Sequence, residues 1–471
     1  MGSRIQIWLH GLRRWAAHGA VVASPAAVGA AVPREAARSS QAAAPRPRPA
    51  FDVQADEVEA LRRLAHVDAP TGLPNRRHFL GRLRSALAEP GTSGAALLIL
   101  RLLPPGENRQ RLGPEAAGQV PAAVADVLAA YPQRVAGAFA GRLNDSDFAL
   151  YLPVRGLADE TATTLMRALR ASPAASLCGA EVVVGGIDGL NGERAGRALA
   201  AADQALAQAE AAGPFCAEIH QAAEADEAPI GERAWRVRID EALAEGRASL
   251  AEFPVNDREG RLIHLECPLR VQVDIGGPFR EARRWLPMAS RSRLLPRVDL
   301  VALELALIAI ERDGRPRCVH ISAASLATAG FVGEVQRRLE GAPRACRGLW
   351  LEVAEGPTLE RALVRLREAG AAWRRHGVRL GVEHAGASMQ NLTRLAGLGL
   401  DHVKVEARFV RGADRDADVR NFAAGLVSLV HGMGLQVIAE GMDSAPDLAV
   451  LWLLGFDGAT GPAVRAASAP G

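Results

Sequence analysis

The hydrophobic pattern divides the chain into a polar leader and two blocks of alternating strand-like and helix-like segments, with a polar stretch between the blocks. In the first block, the apolar runs Ala95–Leu100, Phe148–Leu152 and Glu181–Ile187 predict strands, because short continuous apolar runs fit strands buried on both faces. Helical patterns lie between them, which predicts an α/β sandwich over residues 56–213. The helical pattern around Ala200–Ala212 stops at Gly213 and Pro214, a pair that ends helices. Residues 214–230 are polar and acidic and predict an interdomain linker. In the second block, Leu262–Leu265, Arg317–Ile321, Gly348–Val353, Val378–Val382, His402–Val405 and Leu435–Ala439 predict strands. They alternate with helical segments over about 240 residues, residues 231–471, the size of one (β/α) barrel of the TIM type.

The leader has its own pattern. Ile5, Trp8, Leu9, Leu12 and Trp15 recur at helical spacing beside Arg13 and Arg14. A basic amphipathic helix of this kind lies on a membrane surface or docks on a partner; a short, frayed segment without a role is the alternative. Residues 1–50 contain one acidic residue, Glu35, against seven arginines, and Pro33–Pro49 has no core-forming pattern, which predicts a disordered tail. A charged, Leu-bearing pattern over residues 51–66 predicts a connecting helix into the first domain.

Composition narrows the picture. A chain of 471 residues exceeds one core and fits two domains. Its 56 basic and 53 acidic residues nearly balance, which gives no support to nucleic-acid binding. The five cysteines form no C-x-x-C pair and read as thiols in a reducing cytoplasm. No run reaches the roughly 18 apolar residues of a spanning helix. The expected location is the cytoplasm, with membrane association through residues 5–15 left open.

Chemistry-bearing motifs occur in both blocks. In the first, Asp68–Phe79 reads DAPTGLPNRRHF, Gly141–Leu150 reads GRLNDSDFAL and Ala202–Leu206 reads ADQAL. These resemble, in order, the opening D-x-L-T-G-L-P-N-R-R-x-F, the R-x-G-G-D-E-F-A-L hairpin and the closing A-D-x-A-L of GGDEF diguanylate cyclase domains. The departures fall on the chemistry. Where the family has D-x-D-x-F-K on its first strand, this chain has Arg101, Leu103 and Pro105, and arginine cannot replace a carboxylate beside Mg²⁺. The hairpin reads Asn144, Asp145, Ser146, Asp147 and Phe148, without its glycines. Glu210 stands where a basic residue is expected, and no Asp lies between Arg134 and Gly141 to build the family's inhibitory site. The resemblance implies a folded domain without cyclase activity, in which Asp68 and Asn75 serve the turn and fold.

In the second block, His264–Arg270 reads HLECPLR and resembles the E-A-L-L-R motif of EAL phosphodiesterases. In order follow Val319–Ser322, Leu351–Glu355, Val382–Gly386, Val403–Glu406, Val437–Asp443 and Gly455–Gly461, each at a family motif. The family hydrolyses cyclic-di-GMP with two Mg²⁺ or Mn²⁺ ions, which activate a water and stabilise the transferred charge. The resemblance implies Glu266, Glu352, Glu383, His320 and His384 as the metal set, and Lys404 and Glu440 as catalytic residues if the site is active. It implies Arg270, Glu266 and Asp443 as ligand-binding residues and Glu355 as a loop anchor. Four substitutions enter that site: Glu383 for Asp, His384 for the second Asp, His320 for Asn and Thr460 for Gln. Two histidines beside carboxylates favour Mn²⁺, Fe²⁺ or Zn²⁺ over Mg²⁺, or else fill space in a retired site. The Thr460-Gly461-Pro462 ending is similar to the degenerate EAL domains of LapD-type receptors.

The implied function is a non-catalytic cyclic-di-GMP receptor. A weak or Mn²⁺-dependent phosphodiesterase and a ligand-free interaction scaffold remain as alternatives. The partners expected are cyclic-di-GMP, a second copy of the chain in a homodimer, and a protein partner of unknown identity.

Overall fold

The structure is a computed structural model that describes residues 66–89, 94–103, 114–172, 181–222, 231–355, 357–386 and 389–464. The expectations for the tail (residues 1–50), its basic helix over residues 5–15 and nearly all of the connecting helix (residues 51–66) lie outside the described residues. The chain forms two compact units, Met1–Gly231 and Glu232–Gly471.

The first unit is a five-stranded sheet with helices on both faces. In chain order its elements are α1 (Arg76–Ala88), β1 (Ala95–Leu102), α2 (Pro114–Arg134), β2 (Phe139–Arg142), β3 (Asp147–Leu152), α3 (Ala158–Ala171), β4 (Val182–Leu190), α4 (Ala195–Ala212) and β5 (Ala217–Gln221). The strand order is β2-β3-β1-β4-β5. β1 lies between β3 and β4, antiparallel to both, and its first six residues are buried. One core packs α2 and α3 on the sheet through Val124, Leu128, Leu165 and Leu169. The other packs α1 and α4 through Phe79, Leu83, Ala198 and Leu206. α4 is rich in alanine and sits so close to the sheet that a Cβ on Gly185 would meet Leu206 N at 2.0 Å.

One boundary differs from expectation. Residues 217–221 are not linker: β5 pairs in parallel with β4 and completes the sheet. Ala217 and Ile219 pack on the core while Glu218 is exposed. The polar residues of this edge strand hid its period of two.

The second unit is a closed eight-stranded barrel. Its elements are α5 (Glu232–Ala244), β6 (Ala248–Leu250), β7 (Phe253–Asn256), β8 (Leu262–Glu266), β9 (Leu269–Val271), α6 (Ala282–Arg291), α7 (Leu295–Asp313), β10 (Arg317–His320), α8 (Ala323–Ala327), α9 (Phe331–Gly341), β11 (Leu349–Ala354), α10 (Pro357–Trp373), β12 (Arg379–Ala385), α11 (Met389–Arg394), β13 (His402–Glu406), α12 (Ala417–Gly432), β14 (Gln436–Glu440), α13 (Ala445–Leu454) and β15 (Gly458–Ala459). The barrel closes in the order β10-β11-β12-β13-β14-β15-β7-β8, and β6 pairs with β9 outside it. It departs from an all-parallel barrel at one strand, because β7 runs antiparallel to both β8 and β15. Arg317, at the start of β10, is buried against Asp313 at 2.7 Å and Glu252 at 3.0 Å. That network holds the barrel's N-terminal end, opposite the face where such folds carry chemistry. No described helix is long and apolar enough to cross a membrane. Cys216, Cys267, Cys318 and Cys346 are free thiols, and the last three are buried.

Candidate functional site

The alternation of side chains along the barrel strands sets the site. Residues two apart share a face, so His264 and Glu266 on β8, Cys318 and His320 on β10, and His402 and Lys404 on β13 point into the barrel together. The His264, Trp350 and His402 rings pack there, with centroids 4.4 Å apart for His264–Trp350 and 4.8 Å for Trp350–His402. Gly381 makes this possible, because a Cβ there would meet the His402 ring at 2.2 Å.

Above these rings lies a carboxylate cluster at the C-terminal ends of the strands. Lys404 is fully buried; its Nζ donates to Glu352 Oε2 at 2.6 Å and also to Glu266 Oε2. His402 Nε2 lies 2.6 Å from Glu352 Oε1. His320 Nε2 lies 2.5 Å from Glu266 Oε1 and 3.0 Å from Glu383 Oε2. All four oxygens of Glu266 and Glu352 therefore already meet a side-chain nitrogen. Charge follows from that geometry. Burial opposes the ionised form of Glu352, yet Lys404 and the His402 hydrogen bond hold its carboxyl down at about 2. Burial likewise opposes the Lys404 ammonium, and Glu266 and Glu352 hold it well above the usual lysine range. His320 is held well above the ordinary imidazole value, because Glu383 and Glu266 outweigh the cost of its burial. Cys318 is also close, but burial among Glu352 and Glu266 pushes its thiol far up, so it offers no thiolate.

His384 departs from the alternation. Its backbone is left-handed, at φ 55, and the β12–β13 register shifts between Val382 and Ala385. A bulge of this kind re-aims a side chain. The His384 ring spans two acids, with Nδ1 3.1 Å from Glu440 Oε2 and Nε2 3.8 Å from Glu383 Oε2. The Glu440 contact, helped by the charge of Glu383, pushes its pKa up to about 9 against the cost of burial. Glu355 ties β11 to the loop after β12: its backbone N–H donates to Glu383 O at 2.8 Å and its Oε2 accepts from Gly386 N at 3.2 Å.

Two of the expected ligand residues stand apart from this cluster. Arg270 lies on β9, in the pair of strands outside the barrel, with Nη2 3.9 Å from Glu281 Oε1. Asp443 follows β14 and pairs with Arg411 at 3.0 Å. Thr460 is buried at the end of β15, where its N–H donates to Ala439 O at 2.9 Å and its carbonyl accepts from Met442 N at 2.9 Å.

The first unit carries a second arrangement of displaced chemistry. Arg101, where the cyclase pattern has a metal carboxylate, forms a fork on Asp147 with both contacts at 2.6 Å and reaches Glu210 at 2.8 Å. Burial pushes against the ionised Asp147, but Arg101 holds its carboxyl below the usual range. Glu210 thus serves as the second partner of Arg101. Asn144 closes the hairpin, accepting from Ser146 N at 2.9 Å and Asp147 N at 2.8 Å. Asp145 is exposed at the tip, and Phe148 is fully buried in the core. Asp68 accepts from Thr71 Oγ1 at 2.6 Å and Arg142 at 3.0 Å, while Asn75 caps α1.

Sequence reasoning assigned no role to His264, Cys318 or His402. The signal was present as their spacing of two from Glu266, His320 and Lys404.

Residues 65–214 match the diguanylate cyclase GGDEF domain family, and residues 236–467 match the EAL domain family. The chain is a tandem GGDEF–EAL protein. Among curated relatives, it is 27% identical over 424 residues to an uncharacterized protein of Azorhizobium caulinodans, covering 85% of this chain and 55% of that protein. It is 24% identical over 417 residues to the RNase E specificity factor CsrD of Escherichia coli, covering 85% of this chain and 63% of that protein. The chain thus spans between 55% and 63% of the length of these two relatives. Its fold is similar to the S helix–GGDEF–EAL structure of Vibrio cholerae LapD bound to c-di-GMP. That match has a TM-score of 0.72 at 20% identity and covers 88% of this chain and 100% of that one.

Proposed function

We propose that this protein is a non-catalytic receptor for cyclic-di-GMP. The observation that carries the reading is the saturation of Glu266 and Glu352 by Lys404, His320 and His402. Hydrolysis of a phosphodiester by this family's route needs two hard ions held by oxygen ligands at a fixed spacing, about 3.5–4 Å. Here His320 and His384 offer imidazole nitrogens among the carboxylates where the family pattern has oxygen ligands, so the residues do not fit an Mg²⁺ pair. Binding has lesser demands. Arg270 keeps a half-exposed guanidinium, tied only loosely to Glu281, for charge-assisted bonds to a phosphate. Asp443 is the second exposed ligand residue in this reading.

The test is calorimetric titration of the full chain with cyclic-di-GMP, run beside an assay for the linear product. The expected outcome is binding without product in Mg²⁺. Arg270→Ala weakens it by about 1.5–3 kcal/mol, the worth of a hydrogen bond to a charged group. Linear product in Mg²⁺ would sink the reading, and no binding at all would make the chain an interaction scaffold. The second reading, a slow Mn²⁺-dependent phosphodiesterase, is favoured by the donor group Glu383, His384 and Glu440; product appearing in Mn²⁺ alone selects it. The receptor reading includes a homodimer and a protein partner that responds to the ligand-bound state. Light scattering of the ligand-bound chain checks the dimer.

A further inference from the structure

The first unit has a hollow that its family motifs do not use. It holds about 850 Å³, within the roughly 300–1,000 Å³ of small-molecule sites. One wall is the outward face of α1, with Arg77, His78, Gly81 and Arg82; the other is the β2–β3 edge, with Phe139 and Tyr151. Phe139 and Tyr151 are direct partners in the β2–β3 ladder, at the end away from the hairpin of Asn144 to Asp147, and none of the hairpin residues lines the hollow. Gly81 keeps it open. Nothing lies within 4 Å of a Cβ placed there, so packing does not require the glycine.

The charge of the lining is one-sided. Arg77 and Arg82 form no ion pair among the described residues, and Glu89 is the one acid in the lining. The Arg82 guanidinium lies 4.3 Å from the centroid of the Phe139 ring, which steadies it. At the rim, His66 Nδ1 lies 3.3 Å from His78 Nδ1. Two imidazole nitrogens are by themselves a grip for a metal ion. Here, however, burial, His66 and Arg82 together hold His78 below the ordinary imidazole value, so the hollow opposes added positive charge. The β-strand wall supplies a donor. Tyr151 stacks on Phe139 with centroids 4.8 Å apart and is only 1% exposed, yet its hydroxyl makes no hydrogen bond among the described residues. A tyrosine hydroxyl packed so deeply normally finds a partner. Burial, with the charge of Glu89 added, pushes its pKa up and keeps the proton in place. Phe139 thus brings together a steadied guanidinium and a hydroxyl donor that lacks an acceptor.

We propose that this hollow binds a small molecule through a phosphate group, with Arg82 forking onto the phosphate and the Tyr151 hydroxyl donating to one of its oxygens. Guanidinium groups match phosphate in geometry as well as in charge. A phosphate has oxygens enough for the fork and the hydroxyl together, whereas the fork alone takes both oxygens of a carboxylate. Arg77 and the two histidines add positive charge and donors at the rim.

The test titrates the full chain with inorganic pyrophosphate in metal-free buffer, followed by calorimetry. No cyclic-di-GMP is present, so the result is independent of the barrel's ligand. The expected result is one pyrophosphate per chain and far weaker binding of acetate. Arg82→Gln and Tyr151→Phe should each weaken pyrophosphate binding by about 10-fold or more, the loss that follows removal of a hydrogen bond to a charged group. Tyr151→Phe keeps the buried ring and removes only the hydroxyl, so its packing is retained. Gly81→Leu should abolish binding by filling the hollow, and its melting curve should confirm that it folds, since leucine favours a helix more than glycine does. Absence of stoichiometric pyrophosphate binding overturns the proposal. So does equal affinity for acetate, or binding that Tyr151→Phe and Gly81→Leu leave unchanged.

Discussion

Lys404 carries a charge in a place fully closed to solvent, and its ion pairs with Glu266 and Glu352 make that tolerable. Removing one partner of such a network leaves the others uncompensated. Lys404→Met should therefore destabilise the barrel by about 3–5 kcal/mol, although methionine fills much of the same volume. Urea denaturation checks this: a midpoint that does not move would mean the three groups are not mutually dependent. At this scale the sequence was legible in part. The acids and Lys404 were visible as motif positions. His402 and His264 were not, because a strand histidine is most often only core. What marks them is the Gly381 opening and the ring packing, and neither can be read without knowing which strands are neighbours.

At the scale of elements, most strands were visible because they are apolar on both faces, as buried parallel and central strands are. β5 was missed because an edge strand needs only one apolar face, and Glu218, His220 and Gln221 disguised it. The β12 bulge was also invisible, since nothing in Val382–Ala385 announces a left-handed histidine. The contact of β4 with α4 offers a sharp test of packing. Gly185 in β4 lets the alanine-rich helix approach, and a Cβ there would strike the Leu206 backbone. A backbone cannot swing aside as a side chain does. Gly185→Ala should cost at least about 1–3 kcal/mol, the usual penalty of overpacking. A melting temperature unchanged by Gly185→Ala would show that the helix rides further from the sheet than described.

For the whole molecule, both domains match their family folds, and fold alone does not carry activity. The purified chain should form no cyclic-di-GMP from GTP, because Arg101 stands where a metal carboxylate belongs. Product above that of heat-killed protein would refute this. Arg101 also bears on what the chain could become. It bridges Asp147 and Glu210 and is the cation that compensates both acids. Arg101→Asp, the change that would bring a metal ligand back, would set three acids side by side with no cation among them. Such neighbouring changes do not add independently, and that intermediate would be less stable than either end point. The two acids thus tie this position to arginine: a single Arg101→Asp change is expected to lower the melting temperature of the chain rather than to rebuild a metal site.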